Sequence, residues 1–465
     1  MALRFTNTMT RIREEFKPLD NNNVRLYTCG PTVYDFAHIG NFRTYMFEDL
    51  LHRYLEYKGY RVTQVMNITD IDDKTIKGSI RDKISLAEYT KKYKEAFFED
   101  LDCLGIKRAD VYPEATTHID EMVSLVKALV ERGIAYEVDG NYYFSIPKFP
   151  EYGKLSHIDL SGLKAGARVA SDEYEKESVS DFALWKAWDE NDGDVFWETE
   201  LGKGRPGWHL ECSAMSMKYL GESFDIHCGG VDNMFPHHEN EIAQAEAATG
   251  KTFVKYWMHS EHLIVEGKKM SKSFNNFYTL RQILEKGYSP LAVRYVLMAT
   301  HYRQQLNFTF DGLDAARNAL ERYNDFYTNL ADYPGGDSSG EANDFVKNAL
   351  AHFEENLDDD LNISGALGVV FDFIRDINRL RAENKLSVEE RDGALDAIKK
   401  IDTVLNLLKK NEGDLESEVL ALIEKRNQAR KNKEFATADQ VRDQLLAMNI
   451  ILEDTPSGTK WKKKI

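Results

Sequence analysis

The stretch from Val24 to Ile68 constrains the fold of this chain more than any other. Val24 to Thr28 alternates like a short strand and stops at Cys29-Gly30-Pro31-Thr32, where glycine and proline break regular structure. From about Ile39 the apolar residues Phe42, Met46, Leu50 and Tyr54 recur at helical spacing, with Gly59 just past the end. Arg61 to Ile68 then reads as a second strand. Strand, helix and strand in this order predict a βαβ unit, and so an α/β fold built on a parallel sheet. Ligands of such sheets sit beyond the strand ends, which is where Cys29 and Thr69-Asp70 fall.

The unit carries neither a GxGxxG fingerprint after its first strand nor a Walker lysine. His38-Ile39-Gly40-Asn41 opens the helix instead. Backbone N–H groups at a helix start attract anions, and Gly40 lets a phosphate or base come close to the backbone. The His38 imidazole can donate to phosphoryl oxygens as charge builds. A histidine that merely caps a tight turn would leave the same trace. Further along, His262 to Val265 is strand-like and turns at Glu266-Gly267 into Lys268-Lys269-Met270-Ser271-Lys272-Ser273. Lysine is a flexible point charge suited to a triphosphate, and a loop can close it over a nucleotide. Taken alone, Lys269 and Lys272 fit a solvated charge run better.

A third pattern is one of metal ligands. Phe224 to His227 reads as a strand, Gly229-Gly230 and Pro236 follow, and the next helix carries His237 and Glu241 on one face. Cys212 precedes them, and Cys29 lies far back in the chain. Two thiolates, an imidazole and a carboxylate make a tetrahedral zinc set, although the spacing is not that of a zinc finger. Trp208, in the same region, reads as a core anchor. Cys228 could compete for the metal or be a small buried residue.

At 465 residues the chain is too long for one core and divides into about three domains. No apolar run approaches membrane-spanning length, and the first residues lack the apolar centre of a signal peptide. Four irregularly spaced cysteines argue against a disulfide framework and for a reducing cytosol. A net charge of −17 confines any nucleic-acid binding to local basic patches, such as Lys425 to Lys433 and Lys460 to Lys464. Each of these reads equally as a solvated helix face or tail.

From about Lys74 to Val195, helices at Ser85 to Leu104 and Thr116 to Gly133 and a hairpin at Ile134 to Ile146 look like an insertion between two halves of the sheet. Beyond Phe308 the pattern is helical, with Leu313, Ala316, Leu320, Tyr323, Tyr327 and Leu330 in register. More helices start near Ala342, Ser364 and Ser387, where Ser387 and Glu390 form a capping box. Asp358-Asp359-Asp360 reads as a charged break and Glu412 to Glu418 as a linker. Two helices, Val419 to Lys431 and Phe435 to Met448, precede a hairpin from Ile450 to Ile465 that turns at Pro456-Ser457-Gly458.

Each pattern is modest alone, and their order along one chain is specific. His38-Ile39-Gly40-Asn41 resembles the HIGH motif, and Lys269-Met270-Ser271-Lys272-Ser273 matches the KMSKS motif, of class I aminoacyl-tRNA synthetases. The flanking segments Tyr27 to Tyr34, Asn67 to Lys74, Gly207 to Met215 and Phe235 to Glu241 are similar to those of the cysteinyl-tRNA synthetases. The resemblance covers nearly the whole chain. It implies a Rossmann-type parallel-sheet catalytic domain split by an insertion, then an α-helical bundle and a small C-terminal α+β domain. Residues 1–125 and 196–265 would be the halves of the catalytic domain and 126–195 the connective insertion. Residues 266–310 would hold the KMSKS loop and stem-contact segment, 311–411 the helical anticodon-binding bundle, and 412–465 a small tRNA-binding domain.

The activity implied is ATP-dependent joining of L-cysteine to tRNA(Cys), by a cytoplasmic monomer without membrane attachment. One zinc ion would be held by Cys29, Cys212, His237 and Glu241, and Mg2+ would arrive with ATP. By the same resemblance His38, Lys269 and Lys272 would be catalytic, and His38, Gly40, Asn41, Gly230, Asp232 and Lys272 would contact ATP. Gly230 and Asp232 would lie beside the ribose or the ammonium group, and Thr69 and Trp208 beside the cysteine side chain. Asn41 departs from the usual second histidine of the motif; its amide still donates a hydrogen bond but not a charge-assisted one. Lys425, Arg426, Arg430, Lys431 and Trp461 are candidates for tRNA contact.

Zinc suits such a substrate. An apolar pocket separates near-isosteres such as cysteine and serine by only about 10²-fold. Zinc favours thiolate, so a site able to admit a fifth ligand could read the sulfur directly. A closed four-ligand structural site is the alternative. Two other activities fit parts of the pattern: a ligase passing cysteine to an amino sugar, and a catalytically silent RNA-binding or metal-sensing relative. The full C-terminal region speaks against the first, and the intact KMSKS lysines against the second.

Overall fold

Two short strands, β1 (Arg4–Asn7) and β2 (Ile12–Glu15), pair antiparallel and lie along the edge of the main sheet. They are held there by Asn7 Nδ2 and Thr8 N, which donate to the Lys255 and Trp257 carbonyls. The computed structural model describes residues 2–158, 181–271, 276–409, 412–431, 434–447, 450–455 and 458–463.

The expected βαβ unit follows as β3 (Asn23–Thr28), α1 (Ile39–Tyr57) and β4 (Arg61–Met66). β4 ends before Ile68 because the next amides leave the ladder: Ile68 N donates to Pro113 O and Thr69 N to Pro31 O. α1 begins with a reciprocal cap. His38 Nδ1 accepts from Asn41 N at 3.1 Å, and Asn41 Oδ1 accepts from His38 N at 3.1 Å. Asn41 therefore closes the helix start that presents His38.

The sequence reading did not anticipate α2 (Asp73–Asp82), which is capped by Asp72 and Thr75. Next come α3 (Leu86–Cys103) and α4 (Ile119–Glu131); the latter buries Met122, Val126 and Leu129. The insertion is an antiparallel sheet of β5 (Ala135–Val138), β6 (Asn141–Phe144), β7 (Phe182–Ala187), β8 (Trp197–Thr199) and β9 (Gly202–Pro206), in the order β5-β6-β7-β9-β8. Part of the segment read as insertion, residues 159–180, lies outside the described residues.

The chain returns through α5 (Trp208–Leu220) into a second unit, β10 (Phe224–Gly230), α6 (Glu239–Thr249) and β11 (Val254–Ser260). The main sheet has the order β11-β10-β3-β4, all parallel. From the central β3–β10 pair the two units wind outward in opposite directions, so the crevice at their C-terminal ends is a topological switch point. β3 runs into Cys29 there, and β10 ends on Gly230.

β12 (Leu263–Val265), β13 (Lys268–Lys269), α7 (Leu280–Glu285), α8 (Pro290–Ala299) and β14 (Leu306–Phe308) follow. β12 pairs antiparallel with β13 and parallel with β14, which fixes the start of the KMSKS loop. The helical region is α9 (Phe310–Ala331), α10 (Glu341–Asp358), α11 (Ile363–Ala382) and α12 (Val388–Leu405). α9 buries the expected Leu313, Ala316, Leu320, Tyr323 and Leu330, and Ser387 and Glu390 cap α12 reciprocally. A separate small core, which includes Val419, Ile423, Val441 and Leu445, joins α13 (Glu412–Lys431) and α14 (Phe435–Ala447); the hairpin β15 (Ile450–Thr455) and β16 (Gly458–Lys463) closes the chain. The turn residues Pro456 and Ser457 lie outside the described residues.

Two expectations are corrected. Glu412 to Glu418 is the start of α13 rather than a linker, since acidic residues are favoured in a first helical turn. Asp358-Asp359-Asp360 is more than a charged break, because the Asp358 and Asp360 side chains are fully buried. Asp360 accepts from Thr6 N, Thr6 Oγ1 and Tyr302 Oη, and Asp358 accepts from Tyr54 Oη and Lys58 Nζ. The turn between α10 and α11 thus anchors β1 and α1. Among the described residues no helix is long and apolar enough to cross a membrane.

Candidate active site and metal centre

The switch-point crevice opens into a cavity of about 720 Å³. Its inner wall includes Cys29, Thr69, Trp208, Cys212 and His237. Its outer wall includes His38, Gly40, Asn41, Gly230, Asp232 and Lys269. Glu241 stands behind the inner wall, fully buried. Lys272 lies outside the described residues. With that exception, residues up to 240 positions apart in sequence face or back one cavity.

Local chemistry explains each placement on the outer wall. The His38 ring packs edge-on to Phe277 at 5.0 Å, and Ile39 N donates to Tyr278 O, so the α1 start is tied to the far end of the KMSKS loop. Asn276 steadies the near end: its Oδ1 accepts from Ser271 N and its Nδ2 donates to Lys269 O. A Cβ on Gly40 would meet the His38 ring at 3.0 Å and Met270 Cε at 3.1 Å, so glycine lets these side chains close up without having to give way. At Gly230 a Cβ would come within 2.4 Å of Asp232 Oδ1.

Cys29, Cys212, His237 and Glu241 offer ligand atoms all within 4.8 Å of one another. Glu241 Oε1 lies 3.0 Å from His237 Nε2, yet it is buried and makes no hydrogen bond. The hydrogen bond with Cys212, then burial, pushes the Cys29 thiol well up. The Cys212 thiol is also raised: its hydrogen bond with Cys29 pulls it down, but burial and the Glu241 charge outweigh that. Burial lifts Glu241 to about 7 and depresses His237 to about 3. Burial thus disfavours the charged forms of all four groups, and a dication is what would favour thiolate and carboxylate here. Donor chemistry, mutual distance and the unbonded Oε1 all fit a zinc ion.

Several residues around this set were missed by sequence reasoning. His209 Nδ1 lies 2.9 Å from His237 Nδ1, and His227 Nε2 lies 2.9 Å from Glu241 Oε2. His238 Nε2 lies 3.2 Å from Cys29 Sγ. Metal ligands are commonly oriented by such outer partners. The only sequence signal was the local density of histidines at 209, 227, 237 and 238. Cys228 is fully buried and belongs to no candidate metal group among the described residues.

Trp208 corrects a reading. It is 41% exposed rather than a core anchor, and its ring stacks on His237 with centroids 4.4 Å apart and planes at 19°. Because it opens α5, it can stand at the cavity wall while the following turn enters the core. Thr69 Oγ1 donates to Glu211 Oε2 at 2.9 Å and accepts from Asn67 Nδ2 at 3.1 Å, which fixes its hydroxyl in the same wall.

Comparison with known proteins agrees with this architecture. Residues 15–318 match the model for the class I (C) tRNA synthetase catalytic domain, 352–409 the DALR domain, and 412–461 the cysteinyl-tRNA ligase anticodon binding domain. The cysteine–tRNA ligase of Protochlamydia amoebophila is 52% identical over 470 residues, covering 100% of this chain and 98% of that protein. That of Brachyspira hyodysenteriae is 52% identical over 475 residues, covering 99% of each. The chain belongs to the cysteine–tRNA ligase family. Its enzyme class is that of the ATP-dependent aminoacyl-tRNA synthetases, class I. Solved structures support the fold alone. A methionyl-tRNA synthetase of Mycobacterium tuberculosis in complex with methionyl-adenylate superposes with a TM-score of 0.60 at 14% identity, covering 83% of this chain and 90% of that one. A leucyl enzyme of Agrobacterium radiobacter K84, in a ternary complex with tRNA, gives 0.61 at 11% identity, covering 84% and 85%.

Proposed function

We propose that this chain activates L-cysteine with Mg·ATP and transfers it to tRNA(Cys), selecting the substrate by its sulfur. The observation that carries this reading is the shared cavity. A thiol-rich donor set and the start of α1 open onto the same space, so an amino acid recognised at one wall meets a nucleotide held at the other. A zinc ion bound by Cys29, Cys212, His237 and Glu241 would supply a soft electrophilic centre that prefers thiolate to hydroxyl. Trp208 and Thr69 would bound the side-chain subsite and limit its size. Gly230 and Asp232 would take the ribose or the substrate ammonium.

In adenylation the cysteine carboxylate attacks the α-phosphorus and pyrophosphate leaves, with no covalent enzyme intermediate. Positioning and charge stabilisation carry such a step. His38 would donate to the phosphate oxygens, Gly40 and Asn41 would shape the backbone beside them, and Lys269 and Lys272 would close over the leaving pyrophosphate. The terminal adenosine of tRNA then attacks the adenylate. Residues 311–411 and 412–465 would grip the tRNA, with Lys425, Arg426, Arg430, Lys431 and Trp461 as candidate contacts. The enzyme is expected to act as a cytoplasmic monomer.

The test pairs two assays on the purified chain. Cysteine-dependent ATP–pyrophosphate exchange is expected, together with charging of tRNA(Cys). Exchange without charging would favour a ligase that passes cysteine to another acceptor, and absence of both would overturn the reading. X-ray absorption at the zinc edge should gain a sulfur scatterer when cysteine binds; an unchanged edge would leave the metal a structural role only.

A further inference from the structure

Between Cys29 and His38 the chain runs along a third side of the cavity, which neither the metal donors nor the nucleotide wall uses. Tyr34 and Phe36 of this segment line it, together with Lys74 of α2 and Tyr93 of α3. The segment is pinned at both faces: Val33 N donates to Thr69 O at 3.0 Å, and Tyr89 Oη donates to Tyr34 O at 2.7 Å. Tyr34 is nonetheless 36% exposed, and Phe36 and Tyr93 are half-buried. Phe36 and Tyr93 meet edge to face, with centroids 5.3 Å apart.

Cations are interleaved with these rings. Lys74 Nζ lies 4.7 Å from the Tyr34 centroid, and Lys92 Nζ lies 5.6 Å from that of Phe36 and 5.1 Å from that of Tyr93. Arg281 also stands over Phe36, at 5.3 Å, but it is committed to the protein. Its Nη2 pairs with Glu99 at 2.7 Å and donates to Ala96 O at 3.2 Å, which fastens α7 to α3. Lys74 and Lys92 are exposed and keep their ammonium groups within reach of a ligand. Lys74 does nothing for its own helix, because a cation in the first turn of α2 opposes the helix dipole. Lys92 is not part of the cavity lining, so the strip of rings and cations runs from the cavity out onto the surface.

We propose that this rim is the platform for the unpaired 3′ end of the tRNA. Its bases stack on Tyr34, Phe36 and Tyr93, and Lys74 and Lys92 take the phosphates between them, so that the terminal adenosine is led to the adenylate. Rings interleaved with cations suit a single strand, since every base has a π-face and every linkage a charge. In a chain of net charge −17, such a strip is also a place where a polyanion can settle. Cysteine and ATP are accommodated by the other two walls, so the rim serves transfer and not adenylation. The inference rests on the reading above that tRNA is the acceptor.

The experiment measures single-turnover transfer from preformed cysteinyl-adenylate to tRNA(Cys), beside ATP–pyrophosphate exchange, in the full-length chain. Tyr34→Leu should lower kcat/KM for tRNA by about 5- to 150-fold, the loss of one base stack. Tyr34→Phe keeps the π-face and should stay near wild type. Lys74→Ala and Lys92→Ala should each reduce the slope of log affinity for tRNA against log salt by about 0.7, the value for one single-strand phosphate contact. A tRNA lacking its last three nucleotides should bind wild type and variants alike. Exchange activity reports folding, and the exposed lysines keep the test open if Tyr34→Leu does not fold. The proposal is overturned if Tyr34→Leu transfers as well as Tyr34→Phe, if the lysine variants keep the full salt slope, or if the defects persist with the shortened tRNA. A raised KM for ATP or cysteine in exchange would also overturn it, by assigning the ring to adenylation. Exchange without charging in the wild type removes the tRNA reading and the platform with it; normal charging by Tyr34→Leu removes the platform alone.

Discussion

The two walls of the cavity are built on opposite principles. The inner wall is a set of buried donors anchored on β3, α5, β10 and α6, each oriented by a neighbour: His209 behind His237, His227 beside Glu241, Glu211 behind Thr69. The outer wall rests on a helix cap and a loop whose near end is the two-residue strand β13, with both of its residues exposed. On the proposed reading, recognition of a single sulfur atom would require fixed geometry, because a loosely held ion would accept oxygen as well. Handling of a triphosphate requires charges that arrive with the nucleotide and leave with pyrophosphate. Buried, cross-braced donors and exposed lysines are thus divided between the sides of one cavity.

If that division holds, damage to the inner wall should be the most severe. Changes in the outer partners of a metal ligand already cost about 10–100-fold in affinity or activity, so Cys212→Ala should exceed this in cysteine-dependent exchange and lower zinc content. Retained zinc with full exchange would break the comparison. Within the KMSKS motif, Lys272→Ala should slow adenylation by about 10²–10³-fold, the range for losing one stabilising donor, while ATP affinity changes little. A pre-steady-state burst measured against ATP concentration separates these, and an effect confined to affinity would assign the lysine to binding alone. Removal of residues 412–465, a module with its own core, should spare exchange and reduce charging. Loss of one or two charge-assisted contacts, about 1.5–3 kcal/mol each, predicts a decline in kcat/KM for tRNA from about tenfold for one weak contact to about 10⁴-fold for two strong ones. An equal fall in exchange would show that the tail supports the catalytic core.

The smallest effect tests how tightly the ground beneath the inner wall is built. Glu48 of α1 is fully buried, neither carboxylate oxygen has a hydrogen-bond partner, and burial raises its pKa well above the ordinary value. A raised folded pKa means that stability is fully present below the unfolded value and is lost as pH rises toward the folded one. Glu48→Met should therefore stabilise the chain by about 1–3 kcal/mol near pH 8 and by less near pH 4. A thermal-melting series in which the gain does not grow with pH would contradict this.

Much of the architecture could be read before any coordinates. The βαβ unit, the helix opened by His38, the α9 face and the Ser387–Glu390 cap depend on residues close in sequence, and local periodicity reports them. The four ligand candidates could be named because their donor types are rare together. What escaped the sequence was long-range. Asp358 and Asp360 looked like a solvated break because Tyr54 and Tyr302, the hydroxyls that bury them, lie on other elements. Trp208 looked like core until its stacking on His237 placed it at the cavity wall.

By itself the sequence determined most of the elements and which side chains can bind a soft metal or a phosphate, since these follow from local pattern and from the chemistry of each residue. Only the tertiary structure decided that Glu241 turns one oxygen to each of two histidines, and that Cys29 stands between Cys212 and His238. Those relations arise where β3 and β10 lie side by side, a pairing between residues 200 positions apart that no local pattern encodes.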